Sequence, residues 1–486
     1  MHASREGTGV ASADVQWLLG SPVGSLDDYV GAGGGRGRDA AALLGRAETV
    51  NEVDASGLRG RGGAGFPTGR KWRAIARYES DVQAPPVVVN AAEGEPGTFK
   101  DRALLRTNPY RVLEGALIAA FAVGADRIIV ATKSSFTREI ERLRDAADEL
   151  DRAGWLDGIL LEVFEGPSEY LYGEETGLLE VIDGREPFPR IAPPFRHGVD
   201  EIGESAADVE MADPNPATEA APTLVNNVET LANVPLILAE GPSWYRCVGT
   251  EESPGSVVCT VTGRTQRHGV GEFALGTPLR AVIDDVGGGA RPGREIVAVM
   301  SGVANALLPG SLLDTPLSYE AMNAAGSGLG AAGFIVFDDE TDVVAVAHGV
   351  SRFLAVESCG QCIPCKQDGL AIADALDRLR TSDAAPDDLD VVRRRVRTVT
   401  DGARCYLAQQ HQDVVSSILE LFPDVLAAHA DGAAPPADLE PIAPLVDIVD
   451  GDAVLDDLQL RKQPDWEYEE PWSGQSPADR IDQRAE

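Results

Sequence analysis

Lysine and cysteine are scarce in this chain, and acidic side chains far outnumber basic ones. Five of the 486 residues are lysine, so arginine supplies nearly all of the 42 basic side chains, against 78 aspartates and glutamates. A net charge of −36 destabilises a compact chain by self-repulsion unless salt screens it. We therefore expect a halophilic protein from a high-salt cytoplasm, with simple acidic solubility as the alternative. No basic patch stands out against this background, which argues against binding to nucleic acid.

Long apolar runs and a signal peptide are also missing. The longest nearly apolar segment, residues 115–125, falls short of the ~20 residues that a membrane-spanning helix needs. The N-terminus contains Glu6 and Asp14 and no apolar core of a signal peptide. The sequence predicts a cytoplasmic protein that meets a membrane only peripherally, through a partner complex. Six cysteines are too few for a disulfide framework in so long a chain, and Cys247 and Cys259 read as buried small hydrophobic residues.

The first half of the chain alternates apolar runs with helical patterns. Segments 86–90 and 127–131 read as buried strands, and segments 104–123 and 137–152 read as helices. Such alternation indicates an α/β layer with a parallel sheet. An acidic, proline-containing loop at 201–221 interrupts this pattern.

The second half changes character twice. Short strands bounded by Gly and Pro are predicted at 257–261, 296–299 and 333–337. Apolar residues then recur at helical spacing, in the sets Leu370, Ala373, Leu376, Leu379 and Val414, Ile418, Leu421. After Ala430 the chain is acidic and rich in Pro, which predicts an extended or partly disordered tail. The predicted parts are an N-terminal arm or helical preface (1–44), an α/β domain (45–242), a small β-rich domain (243–338), a helical domain (339–430) and the tail (431–486).

Four cysteines form the most specific pattern. Cys359, Cys362 and Cys365 are spaced C-x2-C-x2-C, and Cys405 lies 40 residues further on. Three close thiolates and a distant fourth are typical of a cubane iron–sulfur cluster. A mixed zinc site with His411 stays an alternative, although zinc usually takes two Cys/His pairs. A catalytic dithiol would leave two of the cysteines without a role.

A glycine-rich loop at 57–72 is the second signal. Its glycines at 60, 62 and 65 match G-x-G-x-x-G, although no clear strand precedes them as a dinucleotide-binding fingerprint requires. Glycines let backbone N–H groups approach a phosphate or a planar ring closely. A flexible loop without a ligand is the alternative. The stretch also offers cationic donors and an aromatic face, from Arg61, Arg70, Lys71 and Phe66.

Three further motifs are candidates for a ligand pocket. Segment 90–101 follows a predicted strand, at the sheet edge where α/β proteins bind ligands, and Asn90 there can hydrogen-bond a flavin. In segment 170–177, a carboxylate that accepts both hydroxyls of an adenosine ribose would favour NAD(H) over NADP(H). Asn226 and Asn227 can contact a flavin or merely cap a helix.

Together and in this order, the motifs resemble the family of NADH-binding flavoprotein (F, or 51 kDa) subunits of respiratory complex I. That family includes diaphorase subunits of NAD-linked hydrogenases and formate dehydrogenases. The resemblance covers residues 50–430. It implies an α/β, Rossmann-like FMN- and NADH-binding domain, then a ubiquitin-like β-grasp domain of the SLBB type, and a C-terminal helical bundle carrying a [4Fe-4S] cluster.

The resemblance implies an NADH dehydrogenase. Such an enzyme oxidises NADH by hydride transfer to FMN and passes single electrons to the cluster. The onward acceptor would be a partner such as a quinone-reducing, complex I-like assembly. A small thioredoxin-like [2Fe-2S] subunit is the neighbour expected beside it.

The resemblance also implies roles for single residues. Glu95 would lie near the nicotinamide and Tyr170 beside the flavin. The cysteines at 359, 362, 365 and 405 would ligate the cluster. The residues implied to contact the nucleotides are Gly60, Arg61, Gly62, Lys71, Asn90, Glu93, Gly173, Asn226, Asn227 and Thr230 for FMN, Phe66 and Phe195 for the adenine, and Glu174 and Glu175 for the adenosine ribose. Gly63 and Gly65 of the glycine-rich loop are further cofactor-binding candidates.

Three alanines depart from the family pattern. The family usually has an aromatic residue at Ala74, an acidic residue at Ala92 and a lysine at Ala192. These changes favour a second hypothesis, a non-catalytic or differently coupled electron-transfer subunit that serves a formate dehydrogenase or hydrogenase. A zinc-stabilised binding protein without redox function is the third hypothesis.

Overall fold

The computed structural model describes residues 15–78, 83–199, 221–469 and 471–484. The predicted acidic loop at 201–221 lies outside the described residues apart from Ala221. The helices are α1 (Leu26–Gly31), α2 (Arg36–Leu44), α3 (Arg46–Ser56), α4 (Thr68–Ala76), α5 (Lys100–Thr107), α6 (Pro109–Val123), α7 (Thr137–Arg152), α8 (Glu175–Ile182), α9 (Val228–Glu240), α10 (Pro242–Tyr245), α11 (Leu279–Gly287), α12 (Tyr319–Ala324), α13 (Val343–Glu357), α14 (Ile363–Arg380), α15 (Asp388–Thr398), α16 (Leu407–Leu421), α17 (Pro423–Ala430), α18 (Asp457–Arg461) and α19 (Pro477–Arg484). The strands are β1 (Val87–Ala91), β2 (Arg127–Lys133), β3 (Leu160–Gly166), β4 (Leu224–Asn227), β5 (Ser256–Gly263), β6 (Gly269–Ala274), β7 (Ile296–Ser301), β8 (Leu308–Pro309), β9 (Gly333–Asp338), β10 (Leu445–Val449) and β11 (Asp452–Leu455).

The first sheet is parallel, with the strand order β3-β2-β1-β4. The chain steps outward from β1 to β2 to β3 and then returns to place β4 on the other side of β1. Ligands of open α/β sheets bind at the carboxyl ends of strands where the order reverses in this way. The fold therefore marks the ends of β1 and β4 as the place to look for a site.

The helices on this sheet pack tightly. A Cβ placed on Gly115 of α6 would lie 2.1 Å from the carbonyl oxygen of Leu231 in α9, so only glycine permits this approach. The described part of the N-terminal segment forms α1 and α2, which agrees with a helical preface. Its contacts to α6 run through Glu114, which accepts hydrogen bonds from the Tyr29 hydroxyl at 2.6 Å and from the Gly35 N–H at 2.8 Å.

The single helix predicted at 104–123 is two helices. α5 ends at Thr107, and α6 begins at Pro109. A residue that precedes proline avoids the helical conformation, and Asn108 has a φ of −151°. Its side chain caps α6 by accepting from the Arg111 N–H at 3.1 Å, while Pro109 occupies the first helical position that suits proline.

The second sheet is mixed, with the strand order β6-β5-β9-β7-β8. β5 and β9 are parallel, and the other neighbours are antiparallel. α11 packs its apolar side against this sheet. Cys259 lies buried in β5 as predicted, but Cys247 is exposed, which corrects the prediction for that residue. Cys247 follows the short helix α10 instead of lying in a strand, and its thiol faces the Ser243 carbonyl oxygen at 3.2 Å.

Helices α13 to α17 surround a separate apolar core. α13 ends at Glu357, two residues before Cys359, and α14 begins at Ile363, directly after Cys362. The cysteine loop is therefore fixed at both ends by long helices. Leu421 departs from the predicted apolar face, since it is 38% exposed at the end of α16.

The tail after Ala430 is ordered where the structure describes it, which corrects the prediction of an extended or partly disordered segment. β10 and β11 form a hairpin, and the Leu445 carbonyl oxygen in β10 accepts from Arg102 at 2.6 Å. Beyond the hairpin, Lys462 is buried, and the Trp466 indole N–H donates to the Val356 carbonyl oxygen at 2.9 Å. In the described part of the chain, no helix combines the length and the apolar character needed to span a bilayer.

Candidate functional site

One large cavity opens at the carboxyl ends of β1 and β4. Its volume is about 640 Å³, which is within the range of small-molecule and cofactor sites. Loops of the second sheet and the start of α16 complete its walls. The predicted site residues that line it are Gly60, Gly62, Gly63, Gly65, Phe66, Lys71, Asn90, Glu93, Glu95, Tyr170, Gly173, Glu174, Glu175, Asn226, Asn227, Thr230 and Cys405.

The glycine loop is held by a hydrogen bond within the loop and by a second one from Tyr319 of α12. The Gly60 N–H donates to the Phe66 carbonyl oxygen at 2.8 Å, and the Tyr319 hydroxyl donates to the Gly60 carbonyl oxygen at 2.7 Å. Gly65 has a φ of +62°, and a Cβ there would lie 2.4 Å from the Tyr319 ring. Gly63 has nothing within 4 Å of the Cβ position. The loop thus presents bare backbone to the cavity.

Asparagines at the strand ends hold the cavity floor in place. The Asn90 amide donates to the Gly173 carbonyl oxygen at 2.8 Å, and Asn226 accepts from the Trp72 indole at 2.8 Å. Asn227 has the helix-capping role that its sequence suggested, and its contact with a flavin stays a prediction. It caps α9 by accepting from the Glu229 N–H at 3.0 Å, and its side chain lines the cavity.

Buried charges lie beneath these asparagines. The Lys100 ammonium is 2.7 Å from Asp101 and 3.0 Å from Glu229. Asn227 donates to the second oxygen of Asp101 at 2.7 Å. Burial raises the pKa of the Asp101 carboxyl, although the Lys100 charge opposes this effect. Because each ionic group has a partner of opposite charge, the desolvation cost of this floor is offset by pairing.

Acidic residues of the 170–177 segment are engaged by the protein itself. Glu174 caps α8, because one of its carboxylate oxygens accepts from the N–H groups of Thr176 at 2.9 Å and Gly177 at 2.8 Å. Glu175 forms an ion pair with Lys71, whose ammonium also donates to the Val225 carbonyl oxygen at 2.9 Å.

Glu95 and Tyr170 form one hydrogen-bonded unit on the cavity wall. The Tyr170 hydroxyl donates to Glu95 and accepts from the Gln410 amide at 2.9 Å. The second oxygen of Glu95 accepts from the Val303 N–H at 2.6 Å. Burial raises the pKa of Glu95 to about 7. The unit therefore connects Glu95, which follows β1, with Val303, which follows β7, and with Gln410 of α16. The pKa of its carboxyl lies near 7.

Two predicted nucleotide contacts lie outside the cavity lining. Arg61 was expected to donate to phosphate, but its guanidinium is buried and turned away from the cavity. It donates to the Ser256 carbonyl oxygen at 3.0 Å and to the Tyr245 hydroxyl at 3.2 Å. Only its backbone N–H faces the site side, where it donates to Thr230 at 2.8 Å. Phe195 is 56% exposed and does not line the cavity.

The four cysteines at 359, 362, 365 and 405 line one small second cavity. Gln361 contributes a donor, since its amide lies 3.5 Å from the Cys359 sulfur. The Ser358 hydroxyl is 3.3 Å from the Cys365 sulfur. Leu171, Cys405 and Leu407 line both this cavity and the large one. The two candidate sites are therefore direct neighbours.

The position of His411 bears on the mixed zinc alternative. His411 does not line the cysteine cavity. It is buried beside Gly369 of α14, so the mixed zinc site loses its fourth ligand.

Several lining residues were not found from the sequence. Tyr319 and Asn305 come from the second sheet's region, and Gln410 comes from α16. None of them belongs to a glycine-rich or cysteine motif. The apolar periodicity of a helix can predict which of its side chains point inward. It does not predict which distant segment of the chain those side chains contact.

Comparison with known proteins agrees with this geometry. The family model of the Nuo51 FMN-binding domain matches residues 53–236, and that of the NADH-ubiquinone oxidoreductase-F iron-sulfur binding region matches residues 345–429. The NADH-quinone oxidoreductase F 2 subunit of Rhizobium meliloti (strain 1021) is 33% identical over 419 residues, which cover 84% of this chain and 94% of that protein. The chain belongs to the family of NADH-quinone oxidoreductase F subunits.

Relatives of this chain come from two kinds of enzyme. The NADH-quinone oxidoreductase F subunit of Mycobacterium bovis (strain ATCC BAA-935 / AF2122/97) is 36% identical, and the match covers 80% of this chain and 86% of that protein. The NADP-reducing hydrogenase subunit HndC of Solidesulfovibrio fructosivorans is 34% identical, with coverage of 85% and 82%. The crystal structure of an NAD+-reducing [NiFe]-hydrogenase in the H2-reduced state aligns with a TM-score of 0.71 at 30% identity, covering 86% of this chain and 68% of that one.

The residues present fit the cofactors of this family. The large cavity has the size of a nucleotide site, its glycine loop leaves backbone exposed at Gly63, and the buried Thr68 hydroxyl has no protein partner. Lys71 supplies a cation at the same wall. The second cavity supplies four thiols and little else that could bind metal. FMN in the first cavity and a [4Fe-4S] cluster in the second are therefore consistent with the donor sets.

Proposed function

We propose that this chain is an NADH dehydrogenase flavoprotein subunit that oxidises NADH and delivers single electrons to a partner. One observation carries the proposal: the flavin-sized cavity and the cysteine cavity share Leu171, Cys405 and Leu407. When bound, FMN supplies the two-electron chemistry that accepts a hydride and releases electrons singly. The protein's part is to bind, orient and shield.

The flavin would be held by the floor of the large cavity. Glycines 60, 62 and 63 leave room for close approach, and the strand-end asparagines Asn90, Asn226 and Asn227 present amides. Thr68 and Lys71 are the donors suited to a phosphate. Arg61 would support the flavin site indirectly. Its backbone N–H positions Thr230, and its guanidinium anchors the glycine loop to Ser256.

NADH would enter between Phe66 and the Glu95–Tyr170 unit. Phe66 is 55% exposed at the cavity mouth, which suits an aromatic face for the adenine. Glu174 is fixed as a helix cap and Glu175 by Lys71, so both carboxylates are oriented before a ribose arrives. Glu95, with a pKa raised to about 7 by burial, would hold or release a proton beside the nicotinamide.

Finer assignments belong to the same proposal. The region of the second sheet would be an SLBB-type β-grasp domain, and α13 to α17 the cluster-bearing bundle. A thioredoxin-like [2Fe-2S] subunit would dock beside the bundle, within a complex I-like or hydrogenase-like assembly in the cytoplasm. The excess of acidic residues supports adaptation to high salt.

A second candidate is an electron-transfer subunit that holds FMN and the cluster but does not oxidise NADH. The observation in its favour is Ala92, which is 1% exposed in the cavity wall where the resemblance implies a carboxylate. A small apolar residue there removes a polar contact to the nucleotide.

Anaerobic purification at high salt, followed by titration with NADH and separately with NADPH, tests the proposal. We expect flavin absorbance near 450 nm to bleach with NADH, and an iron–sulfur EPR signal to appear. Bound flavin and iron with no bleaching by either nucleotide would favour the second candidate. Zinc without iron or acid-labile sulfide would contradict both.

A further inference from the structure

We propose that the arginine face of α15, together with the loop that leads to Cys405, is a docking surface for an acidic one-electron carrier protein. This inference rests on the proposed function, because it concerns the route by which electrons leave the chain.

The local charge is opposite to that of the molecule. The whole chain has a net charge of −36, but residues 391–412 contain one acidic residue, Asp401, and five arginines. This patch was not predicted from the sequence, because the acidic composition of the whole chain led us to expect no basic patch. The arginines that form this patch, named the α15 surface, are Arg393, Arg394, Arg395, Arg397 and Arg404.

The arginines of the α15 surface are exposed, and three of the five form no ion pair with a described residue. All five lie on the exposed side of the structure. Arg393 makes a long 3.4 Å pair with the exposed Asp390, and Arg395 pairs with Asp368 at 2.6 Å. Arg394, Arg397 and Arg404 form no ion pair with any described residue. The acidic residues on or beside this surface are Asp368, Asp387, Asp388, Asp390, Asp401 and Asp413. Asp368 pairs with Arg395, Asp388 pairs with Arg378 of α14, and Asp390 pairs with Arg393, so the unpaired charge of the surface comes from Arg394, Arg397 and Arg404.

The α15 surface adjoins the cysteine loop. Asp368, the partner of Arg395, stands on α14 three residues after Cys365. At the other end, the Arg404 guanidinium donates to the Gln361 side-chain oxygen at 3.2 Å. The amide of the same Gln361 lies 3.5 Å from the Cys359 sulfur. A protein bound to these arginines would therefore lie against the edge of the cluster site.

Two large apolar side chains extend this edge. Ile363, next to Cys362, is 73% exposed, and Tyr406, next to Cys405, is 58% exposed. The C-terminal segment covers another part of the cysteine loop, because the Ala478 N–H donates to the Cys359 carbonyl oxygen at 2.9 Å. It leaves Ile363 and Tyr406 open. Arginine and aromatic residues around an apolar centre are typical of protein interfaces.

Charge complementarity selects the occupant. A cationic surface favours a partner whose docking face is acidic. The position beside the cysteines selects a carrier that takes one electron at a time. In the transfer, one electron leaves this chain and reduces one ferric centre of the partner, with no bond formed or broken.

Binding to an acidic plant-type [2Fe-2S] ferredoxin, used as a probe, tests the assignment. The variant carries Arg393→Gln, Arg394→Gln and Arg397→Gln, none of which lines the large cavity. The matched control carries Arg138→Gln, Arg144→Gln and Arg152→Gln on α7, which are likewise exposed arginines on one helix. The dissociation constant is measured for the FMN- and cluster-loaded protein by calorimetry at one fixed ionic strength.

We expect the α15 variant to weaken ferredoxin binding at least tenfold and the α7 control to change it less than twofold. A third variant with lysine at 393, 394 and 397 keeps the charge, so it should retain affinity within about threefold of the wild type. Circular dichroism confirms that each variant is folded. Equal weakening by the α7 control, or no weakening by the α15 variant, would overturn the proposal.

A duplex oligonucleotide and cationic cytochrome c serve as further probes. If the oligonucleotide bound as tightly as ferredoxin and lost binding in the α15 variant, the surface would be a nucleic-acid site, contrary to the proposal. Cytochrome c can bind the acidic remainder of the chain, so we expect its affinity to be the same or higher in the α15 variant, and a loss of its binding in that variant would contradict the proposal. Flavin bleaching by NADH, recorded for every variant, separates failure of this inference from failure of the proposed function.

Discussion

Gly65 is a position in the glycine loop that tolerates a side chain poorly. Its φ of +62° disfavours any residue with a Cβ, and the Cβ would lie 2.4 Å from the Tyr319 ring. Gly60 is a matched position in the same loop. A Cβ there would meet the Phe66 carbonyl oxygen at 3.5 Å and the Phe66 backbone nitrogen at 3.8 Å, which are ordinary contact distances.

We expect Gly65→Ala to lower the free energy of unfolding by ~1–3 kcal/mol and to reduce bound FMN, because the loop must move away from Tyr319. Gly60→Ala should cost much less. Urea unfolding and flavin content of the purified proteins measure both effects. Equal losses in the two variants would show that steric contact with Tyr319 does not determine the loop's conformation.

Glu95 should make stability depend on pH. Burial raises its pKa from 4.5 to about 7 in the folded chain. The folded state therefore holds this proton over a pH range in which the unfolded state releases it, so stability falls as pH rises from about 4.5 to 7. We expect the urea midpoint of the wild type, relative to that of Glu95→Gln, to fall over this interval and to stay level above it.

The comparison of wild type with Glu95→Gln removes the contribution of every other titrating group. A difference between the two midpoints that is constant from pH 4.5 to 8 would contradict the assigned pKa. A difference that grows in the opposite direction would mean that Tyr170 and Val303 stabilise the carboxylate more than burial destabilises it.

At the scale of elements, the C-terminal segment from α18 to α19 acts as a clamp on the cysteine loop. Lys462 is 3.0 Å from the buried Glu357, which ends α13, and Glu357 also accepts from the Tyr170 N–H at 2.9 Å. The Pro464 carbonyl oxygen accepts from the buried Lys366 ammonium on α14. The segment thus fixes both helices that carry the loop.

We expect Lys462→Met to lower the free energy of unfolding by ~3–5 kcal/mol, because it leaves the Glu357 charge buried without its cation. Iron should also be removed faster by a chelator such as bathophenanthroline. Arg461→Met, an exposed neighbour in the same segment, is the control and should change neither quantity. Unfolding curves and iron release, followed by absorbance, provide the two measurements.

An iron-release rate that stays at the wild-type value in Lys462→Met, despite lower stability, would show that the segment supports the fold without protecting the loop. The reverse result, faster release at unchanged stability, would assign it to protection alone.

Helices and strands were predictable from the sequence where their pattern depends on neighbouring residues alone. The bounds 137–152 of α7 agree with the sequence pattern, since an amphipathic period needs no distant partner. The break at Asn108 was readable from Pro109 but was missed, because the apolar pattern continues across it. The tail was misread because its acidic residues suggested solvation, whereas Asp447 and Glu440 pair with Arg106 and Arg264 far away in the sequence.

Candidate site residues were likewise predictable where a local motif sets the backbone, and not where distant residues set the side-chain direction. Motifs identified most lining residues, because glycine loops and strand ends impose their own backbone geometry. They failed for the Arg61 side chain, whose direction is set by Ser256 and Tyr245 almost 200 residues later. They also gave no sign of Gln410 or Tyr319, which reach the cavity only through the tertiary arrangement.

At the scale of the whole molecule, charge repulsion predicts a dependence on salt. With 78 acidic and 42 basic residues, repulsion is long-ranged at 0.1 M salt, where the Debye length is ~10 Å, and short-ranged at 1 M, where it is ~3 Å. We expect the melting temperature to rise by ~10 °C or more between 0.1 M and 2 M KCl. Sucrose at matched osmolality is the non-ionic control, and a similar rise in sucrose would point to solvent exclusion instead of charge screening.

The clamp on the cysteine loop also fixes an order of events during synthesis. The ribosome completes Cys359, Cys362, Cys365 and Cys405 before it makes α18 and α19. A nascent chain that ends before α18 therefore presents an open cysteine loop, and a chain that includes α18 and α19 presents one held by Pro464 and Ala478. We expect iron and sulfide to load faster onto a chain ending at Asp456 than onto the 486-residue apoprotein, so translation itself would set the time at which the cluster is loaded.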